Sequence, residues 1–245
     1  MIIKALHLMT GSSPVWHTHF PSFWCIPPDR GFLYTHFCLT EQLEQNYRDL
    51  PELKKIIAIR DLRDVAVSIV GQIKKTPWPG MTQAQRDHFN GLTFDEQLLF
   101  VIEYEYDVHE IAAIAPNSNQ ASLIRVAEQA LEYSSNPNHL VIRFEDLVGP
   151  NGGGDLGLQM QTLRSIAQFI QADLSEQQLF DIAGQLYGNQ VNPFGKDALK
   201  NYRSTFSKGK IGAWKDAFKE EHKVAFKKKI GNLLIGLGYE NDNAW

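Results

Sequence analysis

Two cysteines in 245 residues, Cys25 and Cys38, are too few and too widely spaced for a disulfide framework or a CxxC metal or redox centre. A reducing compartment, the cytoplasm, fits that usage best. A basic excess is missing as well: 24 lysines and arginines against 28 aspartates and glutamates leave a formal charge of -4. This excludes the general positive field that follows a nucleic-acid backbone or an anionic membrane surface. An anionic ligand would therefore have to be held by a few well-placed groups. No apolar run reaches the length of a membrane span, and MIIKALHLMTGSSPVW is interrupted by Lys4 and His7 before it could serve as a signal-type segment. Internal repeats and low-complexity tracts are absent too.

What is present is a hydrophobic content of 43%, enough for a proper core, and a length that suits a single α/β domain over residues 1–245. Ile2, Ile3, Leu6 and Met9 recur at helical spacing and stop at Gly11, a residue suited to the position just past a helix end. Residues 12–32 are rich in aromatics, and their prolines and glycine forbid a long regular element, so they read either as a packed loop or as a lid facing a substrate. KKIIAIR (54–60) and HLVIRF (139–144) read as short, continuously apolar strands of a parallel sheet, buried on both faces. Helical patterns run from Val65 to Lys75, Phe94 to Ile114, Gln120 to Tyr133, Leu156 to Ile170, Ser175 to Tyr187 and Glu220 to Leu237. Strands alternating with helices predict an α/β fold with a mainly parallel central sheet flanked by helices. In such sheets ligands bind outside the carboxyl ends of the strands.

Three stretches could carry chemistry. In RDLRDVAVS, Arg60 would stand at the carboxyl edge of the first strand and Ser68 in the early turns of the next helix, where one phosphate could touch both. The helix start would add backbone donors. The alternative is that Arg60, Asp61, Arg63 and Asp64 only form a surface ion-pair cluster. In STFSKGKIGAWKDAF (204–218), glycines free the backbone to approach an anion while Lys208 and Lys210 bring charge. Trp214 and Phe218, four apart, read as one face of a core helix. GPNGGGD (149–155) lacks the Lys-Ser/Thr ending of a phosphate loop and reads as a flexible surface connection. His17 and His19 form an HxH pair without further ligands nearby, so no metal is expected.

RDLRDVAVS, RFEDL and FSKGKIGAWKDAF, in this order and at these separations, resemble the sulfotransferases that use 3′-phosphoadenosine 5′-phosphosulfate (PAPS). The similarity runs from the first helix to GYE near the C-terminus. It implies a P-loop-nucleotide-hydrolase-like fold, PAPS as co-substrate, adenosine 3′,5′-bisphosphate (PAP) as product, a small-molecule acceptor, and neither a metal, a nucleic acid nor a membrane as partner. By the resemblance, Arg60 and Ser68 bind the 3′-phosphate. The RKG motif that closes over it maps to Ser207, Lys208 and Gly209, with its arginine replaced by serine and GDWK changed to GAWK at Ala213; Arg203 or Lys210 could compensate. Phe144 of RFED corresponds to an aromatic residue beside the adenine. His36, following Thr35, stands where relatives carry their general base, and an imidazole with an ordinary pKa of about 6.5 suits that work at neutral pH. The family's PKSGTT-type loop, which holds the 5′-phosphosulfate, has no counterpart here, so the first strand and loop of the fold are expected to be missing. The implied activity is sulfuryl transfer; the alternatives are a module that holds PAP or PAPS without transfer and, more distantly, a P-loop kinase relative. The acceptor and the oligomeric state are not legible.

Overall fold

The computed structural model describes residues 1–12, 14–16, 32–34, 55–75, 81–103, 123–136, 139–188 and 209–245. They belong to two compact units, each assembled from distant stretches of chain. The first comprises Met1–His36, Lys54–Ile59 and Asn138–Ile211; the second Phe37–Leu53, Arg60–Pro137 and Gly212–Trp245.

In the first unit, β1 (Pro14–Trp16) pairs in parallel with β2 (Phe32–Tyr34), and β3 (Lys55–Ile59) pairs in parallel with β4 (His139–Arg143). The register of the second pair runs from Lys55 opposite His139 to Ile59 opposite Arg143. Two parallel strands are as the apolar runs predict, but burial on both faces is not. Of the ten residues only Ile142 is buried and Ala58 is exposed, because among the described residues each of these strands has a single neighbour. Around the pair lie α1 (Ile2–Thr10), α7 (Leu156–Ile170) and α8 (Glu176–Leu186), with the one-turn α6 (Phe144–Leu147) following β4.

α1, α7 and α8 form where the pattern puts them, and their ends are chemically marked; α6 replaces the last residue of the run read as a strand, Phe144. Asp155 caps α7 by accepting from the Leu158 amide at 2.9 Å. Ser175 and Gln178 form a capping box at the start of α8. Gly11 ends α1 in the left-handed conformation, φ 66°. Leu163, Ile166, Ala167, Leu179, Ile182, Ala183 and Leu186 point inward with Ala5, Leu6 and Met9 to make one core beneath Ile142. Lys4 lays its Nζ at the C-terminal end of α8, 3.2 Å from Leu186 O and 2.6 Å from Gly188 O just beyond the helix. This is the favourable placement for a cation at a helix C-terminus, although burial lowers the lysine's pKa.

The second unit is helical: α2 (Leu62–Lys75), α3 (Gln83–Gly91), α4 (Phe94–Glu103), α5 (Leu123–Ser134), the one-turn α9 (Trp214–Ala217) and α10 (Glu220–Gly236). Its core joins Leu62, Ala66, Val70 and Ile73 of α2 to Leu98, Val101 and Ile102 of α4 and to Phe226, Ile230 and Leu234 of α10. Buried His222 closes the start of α10: Nδ1 accepts from the Lys219 amide at 2.9 Å, and Nε2 lies 3.1 Å from Asp95 O. Since Nδ1 is an acceptor, Nε2 carries the proton and donates. Beyond α10, Gly238 at φ 70° turns the chain back, with the Tyr239 amide on Leu234 O at 2.9 Å. No helix among the described residues is long and apolar enough to cross a membrane.

Candidate functional site

In the first unit, β3 and β4 end level with one another, and Phe144 follows Arg143 directly at that carboxyl edge, half-buried as the first residue of α6. Next comes the glycine-rich stretch, which is a packed turn and not a flexible connection. Pro150–Gly152 forms a 3-10 turn between two glycines of positive φ, Gly149 (68°) and the left-handed Gly153 (90°). The Gly152 and Gly154 amides both return to Gly149 O, at 3.1 and 2.9 Å. Gly152 is buried, and a Cβ there would meet Val148 Cγ2 at 2.1 Å, Gly209 O at 3.0 Å and Tyr187 Cε2 at 3.1 Å. Its carbonyl accepts the Ile211 amide at 3.1 Å. The stretch is thus a close-packed support on which Gly209–Ile211 rest. Gly209 has φ 56°, a conformation glycine adopts without strain, and Lys210 is exposed.

In the second unit, RDLRD is an ion-pair cluster but not a surface one. Arg63, Asp64 and Asp61 are 2, 2 and 7% exposed, which requires every charge to be answered by a partner. Arg63 is bound by Asp61 through Nε (2.9 Å) and Nη2 (2.8 Å) and by Glu240 through Nη1. Its guanidinium stacks 3.8 Å from the Trp214 ring centroid and 4.5 Å from that of Trp245. Burial alone would lower the Arg63 pKa, but the hydrogen bonds and charge of Asp61 and then Glu240 outweigh it and raise it. Asp61 also caps α2, its Oδ1 taking the Arg63 amide at 2.9 Å while its carbonyl takes the Val65 amide at 3.0 Å. Of the amides at the helix start, that of Arg63 is therefore already engaged, while the Val65 bond is the first of the helix itself.

Arg60 is half-buried, with Nη2 3.5 Å from Asp64 Oδ2. Ser68 is exposed in the second turn of α2. Asp64 further accepts the Gly212 amide at 2.8 Å and the Trp214 amide at 3.0 Å. Trp214 and Phe218 do touch edge to face at 5.8 Å, but α9 is a single turn with no buried residue, not one face of a core helix. Sequence reasoning missed Glu240, Trp245 and the role of Trp214 as a stacking partner; a tryptophan at the chain end was the one visible signal. His36, Ser207 and Lys208 lie outside the described residues, as do His17, His19 and Arg203. Among the described residues no three His, Cys, Asp or Glu side chains gather closely enough to hold a metal.

Residues 27–238 match the model of the sulfotransferase domain family. No curated protein sequence matches the chain. Among solved structures, the crystal structure of mouse sulfotransferase SULT7A1 complexed with PAP is similar, with a TM-score of 0.63 and 17% sequence identity. The match covers 97% of this chain and 82% of that one.

Proposed function

The chain belongs to the sulfotransferase domain family, and on that premise we propose that it transfers a sulfuryl group from PAPS to a hydroxyl or amine of a small-molecule acceptor. The observation that carries the reading is the placement of RDLRDVAVS: Arg60 is the residue after a parallel strand ends, and Ser68 is exposed on the helix that follows. We assign Arg60 and Ser68 to the nucleotide's 3′-phosphate, where a planar guanidinium fork and a hydroxyl both donate to phosphate oxygens. Ser207, Lys208 and Gly209 are assigned to the segment that closes on the same phosphate, and Phe144 to packing against the adenine. His36 takes the proton from the acceptor as its oxygen or nitrogen forms the new bond to sulfur; the bond from sulfur to the bridging phosphate oxygen breaks, and PAP leaves. The cytoplasm, the compartment that the two cysteines favour, is part of the same proposal.

Titration calorimetry with PAP and with 5′-AMP tests the assignment, because only PAP carries the 3′-phosphate. PAP should bind more tightly, and Arg60→Ala should cost about 1.5–3 kcal/mol of that preference, the range of a charge-assisted hydrogen bond. A variant that still discriminates normally would remove Arg60 from the site. Labelled sulfate appearing on a panel of phenols, alcohols, sugars and amines separates transfer from nucleotide binding alone.

A further inference from the structure

The fourth charged residue of RDLRD, Asp64, has no role in the reading above, yet it is buried. The Asp64 side chain is 0% exposed, and its partners among the described residues are donors. Oδ2 takes the Gly212 amide at 2.8 Å and faces Arg60 Nη2 at 3.5 Å, while Oδ1 takes the Trp214 amide at 3.0 Å. Both amides come from about 150 positions later in the chain, in the turn that directly follows the SKGKI segment. Gly212 has φ 77°, a left-handed conformation, so the turn presents its amides from a backbone shape that few other residues would hold. Arg63 stacks on the indole of the same Trp214, so Asp64 fixes the backbone of the turn while Arg63 fixes its side chain.

We propose that Asp64 is a positioning residue for anion binding: one buried carboxylate sets the direction of the Arg60 guanidinium and anchors the Gly212–Trp214 turn before any nucleotide arrives. It touches no substrate. A carboxylate is needed because three donors converge on two oxygens, one of them from a cation; an amide side chain offers a single acceptor oxygen and would turn its own N–H groups toward a donor. Ordering these groups in advance removes part of the entropy that binding would otherwise cost.

This inference rests on the assignment of Arg60 to the 3′-phosphate, and its test separates the two. In Asp64→Asn the ratio of 5′-AMP to PAP dissociation constants should fall by roughly tenfold or more. Glu240→Gln weakens the Arg63 side of the same cluster without touching Asp64. It should lower the thermal midpoint yet leave the ratio within about twofold, a change too small to matter on the scale of one hydrogen bond. If both variants lower the ratio alike, general loosening explains the loss and the positioning role is overturned. If Arg60→Ala loses discrimination while Asp64→Asn keeps it, the inference fails and the phosphate reading stands; if Arg60→Ala keeps it, the phosphate reading itself fails. Hydrogen exchange on the unsubstituted chain decides the matter should Asp64→Asn not fold. The Gly212 and Trp214 amides should be protected without nucleotide, and exchange at the rate of open chain would overturn the proposal.

Discussion

At the scale of single residues, the molecule repeatedly uses a buried polar or unusually small group where a surface or flexible one is the simpler expectation. Gly152 is the sharpest case. Its missing side chain lets Val148, Tyr187 and the Gly209 carbonyl close on one point, with Val148 Cγ2 only 2.1 Å from where a Cβ would stand. Gly152→Ala should therefore destabilise by about 1–3 kcal/mol, as overpacking does, and weaken PAP binding through displacement of Gly209–Ile211. Chemical denaturation and calorimetry read the two effects; an alanine tolerated in both would show that the support yields. Composition could not reveal this. A run of glycines serves a flexible connection and a crowded turn equally well, and only the neighbours that occupy the vacated space tell them apart.

Individual elements follow their local chemistry closely. The apolar spacing predicts α7 over Leu156–Ile170 with its observed bounds, and α8 lies within the span read from Ser175 to Tyr187. The two helices are also tied on their exposed sides by Arg164, whose Nε and Nη2 each lie 2.7 Å from a Glu176 carboxylate oxygen. Those hydrogen bonds hold the Glu176 carboxyl below the ordinary glutamate range. A carboxyl whose folded pKa is depressed stabilises above its unfolded value of about 4.3, and that contribution disappears as the pH falls through the folded value. Glu176→Gln should thus lower the thermal midpoint slightly at pH 7, with the difference from the unsubstituted chain vanishing in strong acid and shrinking in high salt. A gap that persists unchanged to the lowest pH would assign the loss to α8 propensity and not to the ion pair.

For the whole molecule, ligand linkage gives the simplest check. PAP present at a hundred times its dissociation constant should stabilise the folded chain by about 2.7 kcal/mol. At roughly 2–4 °C per kcal/mol for a chain of this size, that is a rise of about 5–10 °C in the thermal midpoint. The same concentration of 5′-AMP should give less, and equal shifts would mean that the 3′-phosphate is not recognised.

The sequence by itself determined the parts that local rules govern. Helices α1, α7, α8 and α10 follow from apolar spacing, the two strands of a parallel sheet from two short apolar runs, and the family from three ordered motifs; that 55–59 pairs with 139–143 is the structure's own contribution. It named Arg60, Ser68, Phe144 and Gly209, and the chain places them after a strand, on a helix, at the edge after β4 and at a left-handed turn. The tertiary structure alone decided what surrounds them. Arg63 meets Glu240 across 177 positions and Asp64 meets Gly212 across 148, so the charges of RDLRD, which read equally as a surface cluster, become an inward network. No periodicity records such closures. A charged side chain looks the same in sequence whether water or a distant backbone amide answers it, and only the folded chain brings the second partner into place.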